Sequence, residues 1–261
     1  MIFGALIIGD EILSGRREDK HLAHTIAALE SRGLALAWAR YVGDEPARIV
    51  AELRAAAASG DTVFSFGGIG ATPDDHTRQC AAQALGVELV LHPEAAALIT
   101  QRGTEMAAEK GIAYDTTGAD HRRRLNMGVF PAGATLIPNP YNRIPGFSVG
   151  CLHFMPGFPV MAHPMLAWVL DTLYADQAGA LALRAVRVRG TNESALIPVF
   201  ERVEAAFPGV RSFSLPSVDH PTLGPHIEIG VKGADPQQVD LAMAALREGA
   251  AATGATEIDP S

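Results

Sequence analysis

Asp74, Asp75 and His76 close a glycine-rich run, Phe64-Ser-Phe-Gly-Gly-Ile-Gly-Ala-Thr-Pro-Asp-Asp-His-Thr77, and two more acids, Asp10 and Asp44, each follow a glycine. Glycines let the backbone turn with φ > 0 or approach a ligand, and amides at a strand-to-helix junction hold anions. Gly67, Gly68 and Gly70 therefore mark an anion or nucleotide site. Carboxylates beside them oppose it, because two unit charges about 4 Å apart cost about 4 kcal/mol at an effective dielectric near 20. A hard divalent cation reverses that sign by bridging carboxylate and phosphate. Ser65 and Thr72 carry hydroxyls suited to phosphate or to a turn, and His76 suits a proton shuttle or plain surface. Asp74 or Asp75 also suits a helix cap.

Two familiar phosphate loops do not fit. A Walker A loop needs Gly-Lys-Ser/Thr where this chain has Pro73-Asp74-Asp75, and the dinucleotide fingerprint survives only as Gly68-Ile69-Gly70, with Pro73 in place of the third glycine. No Ser-His-Asp set follows from the spacing.

The elements that must position these residues alternate. Met1 to Ile8, Leu34 to Val42 and Thr62 to Phe66 read as strands. Leu22, Ile26 and Leu29, then Ile49, Leu53 and Ala57, and then the segment to Leu85-Gly86 read as the helices that follow them. Such βα repeats predict a mostly parallel sheet covered by helices, with Asp10, Asp44 and Asp74-Asp75 at one edge, since parallel strands share their carboxyl ends. Glu88 to Leu91 suits a further strand, and Pro93 opens a helix toward Lys110 with Gly103 as a weak point. Residues 111 to 124 are polar and poorly periodic, and Arg122-Arg123-Arg124 reads as a solvated turn. Short strands then lead to Cys151 to Met155, a Pro156-Gly157-Phe158-Pro159 stop and a helix carrying Leu166, Val169, Leu170 and Leu173. After a boundary at 178–180, a βαββα order with a last strand at Thr256 to Ile258 predicts a small α+β domain. The expected domains are 1–177 and 181–261.

With 261 residues, 48% of them hydrophobic, the chain can bury a substantial core. A net charge of −8 argues against nucleic acid and against an anionic membrane surface. Two cysteines, Cys80 and Cys151, make no disulfide framework and fit a reducing compartment. The apolar start breaks at Gly9-Asp10-Glu11, too short for a signal peptide or a membrane span, and suits a cytoplasmic protein.

Together, Gly9-Asp-Glu-Ile-Leu13, Val42-Gly-Asp-Glu45 with Arg48-Ile49, Gly67-Gly-Ile-Gly-Ala-Thr-Pro-Asp-Asp-His-Thr-Arg78, Asn139-Pro140, Pro145-Gly-Phe147 and Pro156-Gly-Phe-Pro159 form a specific pattern. By them the chain resembles the MoaB/Mog molybdopterin-binding superfamily, most of all the amino-terminal part of the competence/damage-inducible protein A (CinA) family. The resemblance covers about residues 1–175, and Gly190-Thr-Asn-Glu-Ser194 resembles the start of that family's small second domain. It implies a three-layer α/β fold whose loop 67–77 binds the phosphate end of a pterin or adenine nucleotide, in a homo-oligomer.

The resemblance further implies ligand-binding roles for Gly9, Asp10, Gly67, Gly68, Gly70, Thr72, Asp74, Thr77, Asn139, Pro145, Gly146, Pro156 and Gly157. Asp44 and Asp75 are implied as catalytic and metal-holding, and molybdopterin and Mg²⁺, Mn²⁺ or Co²⁺ as ligand and cofactor. The implied activity is metal-dependent cleavage of an ADP-ribose-like nucleotide diphosphate, or else binding without turnover in molybdenum cofactor metabolism. Three places depart from the family: Asp19-Lys20-His21 for Asp-Thr-Asn, Asn142-Arg143-Ile144 for Gly-Thr-small, and Pro159-Val160-Met161 for Pro-Ser-Glu.

Overall fold

The computed structural model describes residues 1–177 and 182–258. Contacts divide the chain into two compact units between Asp176 and Gln177. The boundary expected at 178–180 lies outside the described residues.

In the first unit the order is β1 (Phe3–Ile8), α1 (Asp10–Leu13), α2 (His21–Glu30), β2 (Leu36–Val42), α3 (Pro46–Ser59), β3 (Thr62–Phe66), α4 (Thr77–Leu85), β4 (Leu89–Leu91) and α5 (Pro93–Glu109). It continues with α6 (Ala119–Leu125), β5 (Val129–Pro131), β6 (Thr135–Ile137), β7 (Gly146–Val149), β8 (Leu152–Met155) and α7 (Pro159–Leu173). The main sheet runs β2-β1-β3-β8-β7-β6. Its first four strands are parallel, and β7 and β6 add antiparallel. Both faces are covered, so β1 and β3 are buried at every residue, as expected of a continuous apolar run. Alternation then sorts the side chains into two cores. Leu6, Ile8 and Val63 meet Ile49, Val50 and Leu53 of α3, while Ala5, Ile7, Phe64 and Phe66 meet Leu29 of α2 and Met165, Leu166 and Val169 of α7. Each fully buried aliphatic or Phe side chain contributes about 1.5–3 kcal/mol. The mostly parallel three-layer α/β fold is the one expected.

Several local expectations are corrected. Residues 119–125 form α6, because Gly118 precedes an acidic first turn with Asp120 and a basic last turn with Arg122, Arg123 and Arg124, which favours helix without an apolar stripe. The arginine run is thus helical, with Arg123 paired to Asp120. In α2 the buried face carries His21, Thr25, Ala28 and Leu29, and Ile26 is turned outward. Helix α5 runs unbroken through Gly103, where a Cβ would stand 2.2 Å from the Tyr114 ring; the glycine admits that ring.

The second unit contains β9 (Ala182–Arg189), α8 (Glu193–Ala206), β10 (Arg211–Ser217), β11 (His226–Gly233), α9 (Pro236–Ala252) and β12 (Thr256–Ile258). Its antiparallel sheet runs β10-β11-β9-β12, and Leu196, Val199 and Val203 of α8 join Val239, Met243 and Leu246 of α9 on one core with Ile229 and Val231. Asn192 and Asp235 cap the two helices through their side chains.

Candidate functional site

Because β2, β1, β3 and β8 are parallel, the loops after Val42, Ile8, Phe66 and Met155 emerge at one edge. Gly9 N donates to Val42 O at 3.0 Å, and Gly67 N donates to Met155 O at 3.0 Å, so neighbouring loops are stitched as they leave the sheet. Asp10 and Asp44 then interlock. The Asp10 amide donates to Asp44 Oδ2 at 2.9 Å, and the Asp44 amide donates to Asp10 Oδ1 at 3.2 Å. Partial burial raises the Asp44 carboxyl pKa, the Asp10 amide lowers it, and the charges of Asp10, Glu11 and Asp74 raise it further; the net direction is up. Distant acids do converge, and their mutual repulsion is incompletely balanced.

The glycine loop is held from below. Gly67 and Gly68 have φ of 104° and 67°, whereas Gly70 is not among the positive-φ residues. At Gly70 the requirement is space: a Cβ would lie 2.5 Å from Asp75 Oδ2. Thr77, fully buried, donates its hydroxyl to Gly67 O at 3.0 Å and its amide to Gly68 O at 2.9 Å. Arg78, 4% exposed, reaches Gly70 O through Nη2 at 2.6 Å. The expected Asp cap does not form. Asp75 turns back to accept from the Thr72 amide at 2.8 Å and the Thr72 hydroxyl at 2.5 Å, and His76 occupies the cap position without a side-chain bond. Ser65 is buried within β3 and cannot reach a phosphate, and the Thr72 hydroxyl is engaged by Asp75. What remains open is backbone: among the described residues no protein acceptor takes the amides of Gly68, Ile69, Gly70 and Ala71. Successive free amides of this kind form an anion-binding concavity.

Beside Gly70 lies an apolar cleft lined by Ile69, Pro145, Pro156, Phe158 and Met161. Asn139 also lines it, but its polar atoms serve the loop: Nδ2 donates to Asn142 Oδ1 at 2.8 Å and Ile144 O at 2.9 Å, and Oδ1 accepts from the Tyr141 amide at 3.0 Å. Gly146 is a packing position, since a Cβ there would meet Phe154 O at 2.4 Å. Gly157 O accepts from His21 Nε2 at 3.2 Å, and Asp19 steadies the start of α2 by accepting from the His21 and Leu22 amides and from Tyr41 Oη. The His21 ring stacks on Phe66 at 4.6 Å, and His163 stacks on His24 at 3.6 Å.

The structure therefore joins Asp44 to Asp10 and Asp75 to Thr72, with the charge of Asp74 acting on Asp44. Among the described residues no group of three or more His, Cys, Asp or Glu side chains is gathered as a ready metal nest. A cation here would need substrate oxygens to complete its shell, which suits Mg²⁺-like ions held by one or two carboxylates plus phosphate. Partial burial, with the charges of Asp10, Glu11 and Asp74, raises Asp44, and that acidic corner fits such a donor set. Arg78 enters the sequence reading only as the end of the family motif and His21 only as a departure from the family pattern; both sit on buried faces of their helices, which is the signal that marks them. Among the described residues no helix is long and apolar enough to cross a membrane.

Residues 4–175 match the family described as "Probable molybdopterin binding domain". A protein of Pyrobaculum calidifontis is 30% identical over 253 residues, 93% of this chain and 92% of that protein. A CinA-like protein of Mycobacterium tuberculosis is 32% identical over 219 residues, covering 79% of this chain and 50% of the relative, so the chain spans about half of that longer protein. The crystal structure of CinA from Thermoplasma acidophilum, a protein described there as of unknown function, covers 66% of this chain and 98% of its own, at 26% identity and a TM-score of 0.55.

Proposed function

The chain belongs to the molybdopterin-binding domain family, with CinA-like relatives, and from that premise we propose that its first unit binds a phosphate-bearing pterin or adenine nucleotide at the 67–77 loop. The observation that carries this reading is the run of unclaimed amides from Gly68 to Ala71 beside an apolar cleft able to receive a flat ring. Molybdopterin and adenine nucleotides share that pair of features.

A second reading adds turnover, and the crowding of Asp10, Glu11 and Asp74 around Asp44 favours it. A diphosphate placed on the free amides meets those acids, and a divalent cation held by Asp44 and Asp10 would neutralise both and polarise a phosphorus–oxygen bond. In this scheme Asp75 keeps the loop in shape through Thr72, and Asp44 stands nearest the reacting phosphate. A homo-oligomer, as in the family resemblance, belongs to the same proposal. Native mass spectrometry of freshly purified protein tests the first reading by the mass of what it retains. Incubation with ADP-ribose under Mg²⁺, Mn²⁺ or Co²⁺, followed by AMP detection, tests the second. Tight metal-independent binding with no AMP under any metal would leave a binding protein.

A further inference from the structure

A hollow of about 730 Å³ opens between α5, α7 and the 138–143 loop. Arg102, Glu105, Tyr141, Arg143 and Trp168 line it. It shares Asn139 and Asn142 with the apolar cleft beside Gly70, so the two spaces have a common wall. We infer that this hollow is a second subsite, taking a flat heteroaromatic base that carries a phosphate, such as a nucleoside monophosphate moiety. The inference rests on the ligand reading above in supposing that one substrate spans both spaces.

Three observations support it. First, the loop is held in an unfavourable shape: Arg143 has φ of 65°, and among the described residues it is the sole non-glycine with positive φ. Such strain persists where the surroundings over-determine it, and it concentrates at ligand clamps. Here Arg143 N donates to Asn139 O at 3.0 Å, Asn139 binds Asn142 and Ile144, and the Ile144 amide donates to Asn142 Oδ1 at 3.0 Å. The result places an arginine where the family pattern has threonine. Second, the charges suit an anion. Arg143 and Arg102 share Glu105, at 3.3 and 3.6 Å, and Arg102 also pairs with Glu109 at 3.2 Å, so among the described residues Arg143 has Glu105 as its one ion-pair partner and is about half exposed. An entering phosphate can compete with Glu105 for the half-exposed Arg143 guanidinium, and guanidinium–phosphate bonds are among the stronger ones. Third, Tyr141 is 61% exposed and Trp168 lies across the same hollow, so two aromatic rings are available to a base.

The chain has two tryptophans, so a Trp38→Phe background leaves Trp168 as the sole reporter. AMP should change Trp168 fluorescence saturably, and adenosine and inorganic phosphate should bind far more weakly, since each offers half of the recognition. Arg143→Gly should weaken AMP roughly tenfold while folding at least as well, because glycine accepts this φ without strain. Glu105→Gln should tighten AMP, because it frees Arg143 while Arg102 keeps Glu109; a purely structural Glu105 would not do so. No AMP response, or equal affinity in Arg143→Gly and Glu105→Gln, overturns the subsite. Calorimetry on Gly70→Val separates the two claims: loss of AMP there with Arg143→Gly unaffected leaves the glycine loop standing and removes the hollow. The converse pattern keeps the hollow and removes the loop.

Discussion

Asp10 and Asp44 each accept a hydrogen bond from the other's backbone amide, at 3.2 and 2.9 Å, which ties the loops after β1 and β2 into one acidic corner. Two like charges are held together by neutral donors, so the corner keeps its shape while its charge stays uncompensated. That separation of geometry from charge allows each to be tested alone.

Asp44→Asn keeps an oxygen for the Asp10 amide and removes the charge. We expect the variant to be as stable as the parent or slightly more so at neutral pH. The folded Asp44 pKa is raised, so its ionised form opposes folding above that pKa and the opposition disappears as pH falls through it. Metal-dependent AMP release should fall by about 10²-fold or more, the usual scale for a lost charge at a reacting group. Thermal unfolding and a turnover assay on the same preparation check both halves, and retained turnover would remove Asp44 from the chemistry.

Asp75 makes a different prediction. Its Oδ2 holds the Thr72 amide and hydroxyl, so Asp75→Asn, which keeps an oxygen, should preserve most ligand affinity, whereas Asp75→Ala should lose it and cost about 0.5–1.5 kcal/mol for the lost hydrogen bonds. Calorimetric titration of both variants decides the matter. Intact binding with abolished turnover in Asp75→Asn would make Asp75 catalytic.

Acid should weaken the first unit. Burial lowers His153 to about 4, and burial with the neighbouring His24 and His21 lowers His163 to about 4. A histidine whose folded pKa lies below its ordinary 6.5 gives stability that is complete above 6.5 and is lost as pH falls toward 4, where the unfolded chain takes up the proton and the folded one does not. For the well-buried His153 the effect is at most about 3 kcal/mol. Urea unfolding at pH 7.5 and 4.5 should show this loss, and His153→Gln and His163→Gln should each flatten it. An unchanged pH slope in both would assign the acid sensitivity elsewhere.

In the second unit, Asp235 accepts from the Gln237 amide at 2.9 Å and the Gln238 amide at 3.3 Å at the start of α9. Asp235→Ala in the whole chain should cost about 0.5–2 kcal/mol. Chemical denaturation followed by circular dichroism measures it, and Asp235→Ser should recover most of the loss.

The layers and the convergence of Asp10, Asp44 and Asp74 were legible because hydrophobic period and strand order are whole-element properties: once β1, β2 and β3 are parallel, their following loops share an edge. The family resemblance was equally legible, since it rests on runs of residue types in order. The task of each acid was not. Asp74 and Asp75 are the same residue type at adjacent positions, and only the turn closed by the Asp75 amide on Thr72 O, at 3.1 Å, makes Asp75 a lock and leaves Asp74 exposed. Arg78 was hidden for a related reason. Its partner is a carbonyl eight residues upstream, and no spacing rule relates an arginine in a helix to a backbone oxygen in the preceding loop. The φ of Arg143 likewise depends on four bonds made by Asn139 and Asn142 and not on its own side chain.

At the far end of the strands, Ser148 and Tyr174 hold His153 from either side, at 2.8 and 2.7 Å, and Thr62 Oγ1 donates to Tyr174 Oη at 3.3 Å. This buried chain links β7, β8, α7's trailing residue and β3 beneath the core. The three departures from the family pattern, at 19–21, 142–144 and 159–161, all fall at the opposite rim: His21 faces Gly157, and Asn142, Ile144 and Met161 line the cleft by Gly70. Natural variation can thus rewrite the rim while the foundation keeps its wiring, and a lineage can trade one small-molecule preference for another through a handful of loop changes without passing through an unfolded ancestor.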